Sequence, residues 1–261
     1  DPELGPMIRS LFIPEEDSEW YCADYSQQEP RVLIHYACLK DMSSALQVQK
    51  EFCRNDKTDF HQMVANMAGI ERKQAKTINL GLFYGMGNKK LAAQLGLEQD
   101  QAYELFNQYH NRVPFVRELS RQVSHIAGSR GYIKTLLGRK RRFDLWEPRD
   151  SWGERAYPLS EAYSHYPKQE LKRAYTHTAL NALIQGSSAD ITKSAMIKIY
   201  EAGLLDEIDL KLTIHDELDF SIPRNKQKCF EEALQIMKTC VKLKVPLKVD
   251  VEKGDNWGNA K

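Results

Sequence analysis

Strand-like sequence sits near both ends of this chain, with a long helical pattern between. SEWYCAD at 18–24 alternates up to Asp24, and DLKLTIHDELDFSIP at 209–223 alternates on both sides of a polar triplet, His215-Asp216-Glu217. VPLKVDVEKG, close to the C-terminus, reads as one more strand. A doubly wound parallel sheet needs strands and helices in regular succession, so this distribution argues for an α+β fold with antiparallel strands.

The middle of the chain adds detail. Residues 27–53 carry helical periodicity, with Val32, Leu33, His35, Tyr36 and Leu39 toward one side. From DKTDFHQMVANMAGI to RVPFVRELSRQVSHIAG the reading is mainly helical, broken at Gly69, Gly85, Gly87, Gly96 and Gly128. RGYIKTLLGRKRRF predicts a hairpin with a dense basic cluster. Residues 144–168 hold Pro148, Pro158 and Pro167 without a steady period and predict a long loop. A helix over about 169–203, ending at Gly203, and another near 225–243 complete the pattern. There is no internal repeat.

With 261 residues, 42% hydrophobic and 28% charged, the chain can bury a real core. The net charge of +1 means that any nucleic-acid surface must arise from local segregation of charge. Cys22, Cys38, Cys53, Cys229 and Cys240 form no C-x-x-C pair and read as small buried apolar residues of a reducing compartment. No apolar run approaches the roughly 20 residues of a membrane span, and no signal peptide is visible. The chain opens at Asp1 with its first methionine at Met7, as a fragment, a processed product or a trimmed polypeptide would.

Two strand-end aspartates, Asp24 and Asp216, can meet on one sheet edge although they are remote in sequence. There they could hold two divalent cations about 3.5–4 Å apart for in-line phosphoryl transfer, with Glu217 as an outer carboxylate. Magnesium suits such a site because it takes a few hard oxygens and fills its shell with water and phosphate. The same residues also fit a plainer reading, Asp216 as a turn residue and Asp24 as a helix N-cap. In ERKQAKTINLGLFYG, Arg72, Lys76, Leu80 and Tyr84 recur every four residues on one helical face. Two cations followed by an apolar and an aromatic residue suit a nucleotide; a solvated basic turn followed by core residues gives the same spacing.

Taken together, DYSQQEPR (24–31), RKQAKTINLGLFYG (72–85) and HDE (215–217) resemble, in order and spacing, the three motifs of DNA polymerase family A. DFH (59–61), LLGRKRRF (136–143), NALIQGSSAD (181–190) and the terminal VEKGDNWGNAK match as well, so the resemblance covers essentially the whole chain. SQQEPR, and His177 four residues before Asn181, give it a bacteriophage flavour. The resemblance implies an antiparallel palm sheet in 1–40 and 131–261 and a helical fingers subdomain in 41–130. It implies template-directed addition of deoxynucleotides to a primer 3′-hydroxyl, with two Mg2+ ions, dNTP as substrate and primer–template DNA as partner. A cytoplasmic setting, in a bacterial or phage-infected cell, goes with it.

Residue by residue, the resemblance makes Asp24 and Asp216 metal ligands, joined by the Tyr25 carbonyl and Glu217. Lys76 joins the two aspartates in catalysis, and Arg72, Lys76 and His61 become the triphosphate clamp. Glu29 becomes a sugar gate hydrogen-bonded to Tyr84; Gln27, Leu80 and Tyr84 contact the nucleotide, and Tyr84 with Gly85 shapes the pocket for the templating base. Arg139, Asn181, Gln185, His215 and Arg31 become DNA contacts, with Lys140, Arg141 and Arg142 extending a phosphate-binding cluster.

Two departures stand out. Leu80 occupies a place where the family usually has Phe or Tyr, and the thumb and upstream palm segment that precede residue 5 in the family are absent. The chain therefore reads as fingers plus most of a palm, from a split polymerase whose other polypeptide supplies the thumb. The 144–168 segment, with Trp146 and Trp152, offers a docking surface for that half or a simple surface insertion. The rival readings are a two-metal nuclease, a reverse-transcriptase-like polymerase and a non-catalytic nucleic-acid-binding remnant. The nucleotide-clamp helix speaks against a nuclease, and the presence of Asp24, Asp216, Arg72 and Lys76 against a remnant.

Overall fold

The structure, a computed structural model, describes residues 4–55, 57–83, 88–150 and 155–260, without the side chains of residues 82, 83 and 88. In chain order the elements are α1 (Leu4–Ser10), β1 (Ser18–Tyr25), α2 (Gln28–Cys38), α3 (Ser43–Arg54), α4 (Phe60–Ala68), α5 (Arg72–Phe83) and α6 (Asn88–Leu95). There follow α7 (Gln99–Arg112), α8 (Pro114–Arg130), β2 (Tyr132–Lys134), β3 (Lys140–Arg142), β4 (Leu145–Pro148), β5 (Tyr157–Pro158), α9 (Leu159–His165) and β6 (Leu171–Arg173). The chain closes with α10 (Ala179–Glu201), β7 (Asp209–Ile214), β8 (Glu217–Pro223), α11 (Gln227–Thr239) and β9 (Val249–Gly254). This mixture of helices and antiparallel sheets is the α+β class that the sequence predicts. Two compact units result, residues 1–32 with 188–261 and residues 33–187, with the divisions falling inside α2 and α10.

The first unit is built on an antiparallel sheet of order β7-β8-β1-β9. Side chains alternate across a strand, which gives its two faces different jobs. Tyr21, Ala23 and Tyr25 of β1 and Phe220 of β8 face α11, whose Phe230, Ala233 and Met237 recur at helical spacing and are buried. Tyr21 and Phe220 lie 4.7 and 5.7 Å from the Phe230 ring, and the Tyr25 hydroxyl donates to the Met237 carbonyl at 2.8 Å. On the other face Trp20 and Cys22 pack with Ala260, Trp257 and Leu212. Asp24 continues that second face, and its ladder partner is Glu217.

The second unit places α3 to α8 around Phe52, Phe60, Val64, Ile78, Tyr109, Phe115 and Val116, all fully buried. α8 starts on Pro114, whose fixed φ suits a first helical position, and stops at Gly131, where φ is +77°. A Cβ at Gly131 would come within 2.7 Å of the Arg173 guanidinium carbon, so glycine suits the left-handed conformation and leaves that guanidinium where it is. Two small sheets follow, the β2–β3 hairpin that the sequence predicts and a three-stranded sheet of order β5-β4-β6.

Several expectations are corrected. The helical pattern over 27–53 forms two helices, α2 and α3, because Asp41 takes a left-handed φ of +52° and turns the chain. The 144–168 segment is not a bare loop: it contributes β4, β5 and α9. Trp146 fixes it, pairing in register with Arg173 and holding that guanidinium 4.5 Å from its ring centre. Trp152 lies outside the described residues. The helix expected from 169 starts only at Ala179, since Lys172 and Arg173 are drawn into β6 and Tyr175 has a φ of +59°. Among the cysteines Cys22, Cys38 and Cys240 are buried, whereas Cys53 is exposed; none forms a disulfide. Among the described residues no helix is long and apolar enough to cross a membrane.

Candidate active site

In the first unit the two remote aspartates come to adjacent strand ends. Asp24 is the Cα partner of Glu217, a separation of roughly 4.5–5.5 Å for an antiparallel pair. The next backbone amide, Tyr25 N–H, donates to the Asp216 carbonyl at 3.2 Å. His215 and Asp216 form the two-residue turn between Ile214 and Glu217, and a positive φ of 55° at His215 is what a tight hairpin turn demands at its first central position. Asp24 is exposed, Asp216 half-buried and Glu217 buried, so the carboxylates grade from solvent into the sheet.

One residue of this cluster escaped the sequence reading. Asp219 lies two positions beyond Glu217, on the same face, and pairs with Cys22. Both are buried, and oxygens of Glu217 and Asp219 lie with the Cys22 sulfur within 4.8 Å of one another. Burial, then Asp219 and Glu217, push the Cys22 thiol well above its ordinary range. A thiol kept protonated is no ligand for a hard cation, whereas Asp24, Asp216 and Glu217 present only hard oxygens and fit magnesium. The signal for Asp219 was there to read: a second carboxylate two positions after Glu217, on the polar alternate positions of the strand.

Arg31 requires a correction. Expected among DNA contacts, it is fully buried and donates from Nε to the Ser26 carbonyl at 2.8 Å and from a terminal nitrogen to the Pro246 carbonyl at 2.6 Å. It staples the turn after β1 to the segment before β9 and so holds the strand end that carries Asp24. Gln27, in a left-handed conformation, and Glu29, in the first turn of α2, are both half-buried.

The second unit carries the basic face. Arg72, Lys76 and Leu80 lie along α5 at one-turn intervals, the two cations exposed and Leu80 half-buried. Tyr84 and Gly85 lie outside the described residues. Asp59 caps α4 by accepting from Gln62 N–H at 3.0 Å. Its second oxygen accepts from Arg72 at 2.8 Å and 2.7 Å, so one carboxylate both starts a helix and aims a guanidinium. Burial works against the Asp59 anion, but the Gln62 amide and Arg72 outweigh it and hold its pKa below the ordinary value.

His61 is set by a buried relay that sequence reasoning missed. The Tyr109 hydroxyl donates to Asn79 Oδ1 at 2.6 Å, which leaves Asn79 Nδ2 to donate to His61 Nδ1 at 3.0 Å. With Nδ1 accepting, the neutral ring carries its proton on Nε2, pointing a donor outward. Burial lowers the His61 pKa, Asp59 opposes this, and Lys76 and Arg72 lower it further, so the ring is neutral at pH 7. Asn79 and Tyr109 are fully buried. Asn79 sits inside the basic helix motif, where a polar residue on the apolar side was the available signal; nothing local marks Tyr109.

Among the expected DNA contacts, Asn181 and Gln185 lie one turn apart on α10, and Arg139 donates to the Gly186 carbonyl at 2.7 Å. Gly186 lets the β2–β3 loop approach the helix: a Cβ there would lie 2.6 Å from the Thr135 methyl carbon. Lys140, Arg141 and Arg142 are exposed on β3, and His215 is exposed at the hairpin tip.

The model of DNA polymerase family A matches residues 2–259. A DNA-directed DNA polymerase of Pseudomonas phage M6 is 38% identical over 99% of this chain and 41% of its own length. DNA polymerase I of Rhizobium leguminosarum is 32% identical over 98% of this chain and 24% of its own. A solved structure, the POL domain of Pol1 from M. smegmatis in complex with DNA primer-template and dNTP, superposes with a TM-score of 0.79 at 32% identity, covering 99% of this chain and 43% of that one. The chain thus spans less than half the length of these relatives, and it belongs to DNA polymerase family A.

Proposed function

We propose that this chain is the catalytic portion of a template-directed DNA polymerase, which adds deoxynucleotides to a primer 3′-hydroxyl with two Mg2+ ions. The observation that carries the reading is the meeting of Asp24 with Asp216 and Glu217 near adjacent ends of β1 and β8. Asp24, Asp216 and the Tyr25 carbonyl would hold the ions, with Glu217 as an outer carboxylate. Bound Mg2+ supplies the acidity that makes the primer hydroxyl a nucleophile and the charge that steadies the triphosphate.

The chain's own residues do the rest. Arg72, oriented by Asp59, forks onto triphosphate oxygens, and Lys76 neutralises the departing pyrophosphate. His61, held by Asn79, donates from Nε2 to a phosphate oxygen. Glu29 crowds the 2′ position of the incoming sugar, while Leu80 gives it an aliphatic wall. Gln27 and Tyr84 complete the nucleotide contacts. Arg139, Asn181, Gln185 and His215 hold primer and template through sugars, phosphates and groove acceptors, which positions the duplex without reading sequence. Arg31 acts behind them, as a staple of the fold.

The relative solved with primer–template and dNTP supports this choice of substrates. The polymerase also uses a thumb and an upstream palm segment, on the same polypeptide or on a partner. Leu4, Met7, Ile8, Leu11, Phe12 and Ile13 are all exposed, and α1 has no buried residue, which suits a surface that another part covers. The setting is cytoplasmic, where primer–template and dNTPs are found together.

Single-nucleotide primer extension tests the reading, run with and without the upstream polymerase segment of the phage relative and with Asp216→Ala as control. Extension that depends on the segment and vanishes in Asp216→Ala is expected. Extension that survives Asp216→Ala overturns the site, and full activity of the chain alone overturns the need for the upstream segment.

A further inference from the structure

A cavity of about 340 Å³ opens in the second unit where α7 ends and α8 begins, walled by His110, Pro114, Arg117, Glu118 and Arg121. Arg117 and Arg121 stand one turn apart on α8, and like charges at that spacing repel. Neither guanidinium has an ion pair among the described residues. α8 has no acidic residue in its first turn and no side-chain cap, so its positive pole is uncompensated at the end where Pro114 lines the cavity. His110 is 6% exposed, yet no hydrogen bond reaches either ring nitrogen among the described residues. Nδ1 is sealed from solvent, and the ring forms part of the cavity wall. Buried polar groups of this kind are rare without a partner. Burial, then Arg117 and Arg121, push the His110 pKa down to about 4, so the ring is neutral and the cavity's positive charge comes from the two arginines. Glu118 brings the one carboxylate of the wall, and its oxygen accepts from Gln122 at 3.3 Å.

We propose that this cavity is a phosphate-binding site, in which Arg117 and Arg121 grip the oxyanion beside the His110 ring and the positive pole of α8 adds to the attraction. The phosphate is either a free ion or a group on a nucleic-acid strand; the cavity chemistry is common to both. Glu118 weakens it by like charge and so favours an anion with enough charge to hold both arginines. These residues are none of those assigned to nucleotide or metal above, so the site stands or falls apart from polymerase activity.

The test uses the whole chain labelled with 15N-histidine, following the His110 ring nitrogens by NMR. Inorganic phosphate is titrated against chloride at equal ionic strength, and a 5′-phosphorylated oligothymidylate is titrated separately. Phosphate is expected to shift the His110 ring signals, leaving His125 in place. In an Arg117→Gln/Arg121→Gln double variant the apparent affinity should fall at least tenfold, and in Glu118→Gln it should rise severalfold. A shift of His110 by free phosphate alone assigns the site to the ion; a shift by the oligonucleotide at lower concentration, lost in the double variant, assigns it to a strand. A thermal unfolding scan checks that the double variant is folded, and retention of one arginine in each single variant, with intermediate affinity, gives a second reading. Absence of any phosphate-specific shift, or shifts that persist unchanged in the double variant, overturns the proposal.

Discussion

Tyr109→Phe removes one oxygen from a fully buried position and leaves the rest of the side chain in place. The lost hydroxyl is the donor to Asn79 Oδ1 at 2.6 Å, and Asn79 is itself fully buried, so no water can replace the bond. An orphaned buried acceptor costs about 1–3 kcal/mol. For a chain of this size each kcal/mol lowers Tm by roughly 2–4 °C. Removing the acceptor as well should relieve the cost, because the penalty belongs to the unsatisfied Asn79 oxygen. Urea denaturation of wild type, Tyr109→Phe, Asn79→Ala and the double variant closes the cycle. The hydroxyl substitution should cost about 1–3 kcal/mol in the native background and a few tenths in the Asn79→Ala background. A cost below about 0.5 kcal/mol in the native background, or the same cost in both, would refute the relay. Function offers a second reading. With Asn79 loosened, His61 loses its fixed tautomer, and the KM for dNTP should rise in Tyr109→Phe more than kcat falls.

Other consequences are simpler to state. Asp59→Asn keeps the α4 cap and loses the charge on Arg72, so it should cost less than Asp59→Ala, which loses both; the cap alone is worth about 1 kcal/mol and the half-exposed ion pair less than that. Because Asp59 titrates below its ordinary 3.8 in the folded chain, the native advantage over Asp59→Asn is present above that pH and vanishes as pH falls through the lowered value, which urea curves at pH 7 and pH 3 will show. Gly186→Ala pushes a Cβ against the Thr135 methyl at 2.6 Å and should cost about 1–3 kcal/mol; Thr135→Ser removes that methyl and should restore most of the loss in the double variant. Arg31→Ala leaves the Ser26 and Pro246 carbonyls without their donors and should lower Tm by several degrees, against the small change expected of a surface DNA contact. Leu80→Phe should change dideoxynucleotide selectivity in single-nucleotide incorporation, and identical rates and selectivity would remove Leu80 from sugar discrimination.

Features fixed by local period or by motif were legible in the sequence. The strand that carries Asp24 and the hairpin about His215 and Asp216 fall where alternation predicts them, and the basic hairpin at β2–β3 does too. Motif order pointed to the family. Features set by distant partners were hidden. Tyr109 meets Asn79 across 30 residues and Arg31 meets Pro246 across 215, and no local pattern records such pairings. The stretch before Ala179 carries helix-forming residues, yet strand pairing with Trp146 and Glu147 outweighs that propensity. Asp219 shows the opposite error: the alternation was right, and the chemistry of one position within it went unread.

The central claim is that Asp24 and Asp216 jointly hold divalent cations, and it can be tested on the chain itself with Mn2+ in place of Mg2+. Electron paramagnetic resonance of unbound Mn2+, titrated in the presence of dNTP, counts the ions taken up by wild type, Asp24→Asn and Asp216→Asn. The account predicts that the wild-type chain binds Mn2+ beyond what dNTP alone retains and that either substitution abolishes this excess. Equal uptake by all three proteins, each shown to be folded, would contradict it.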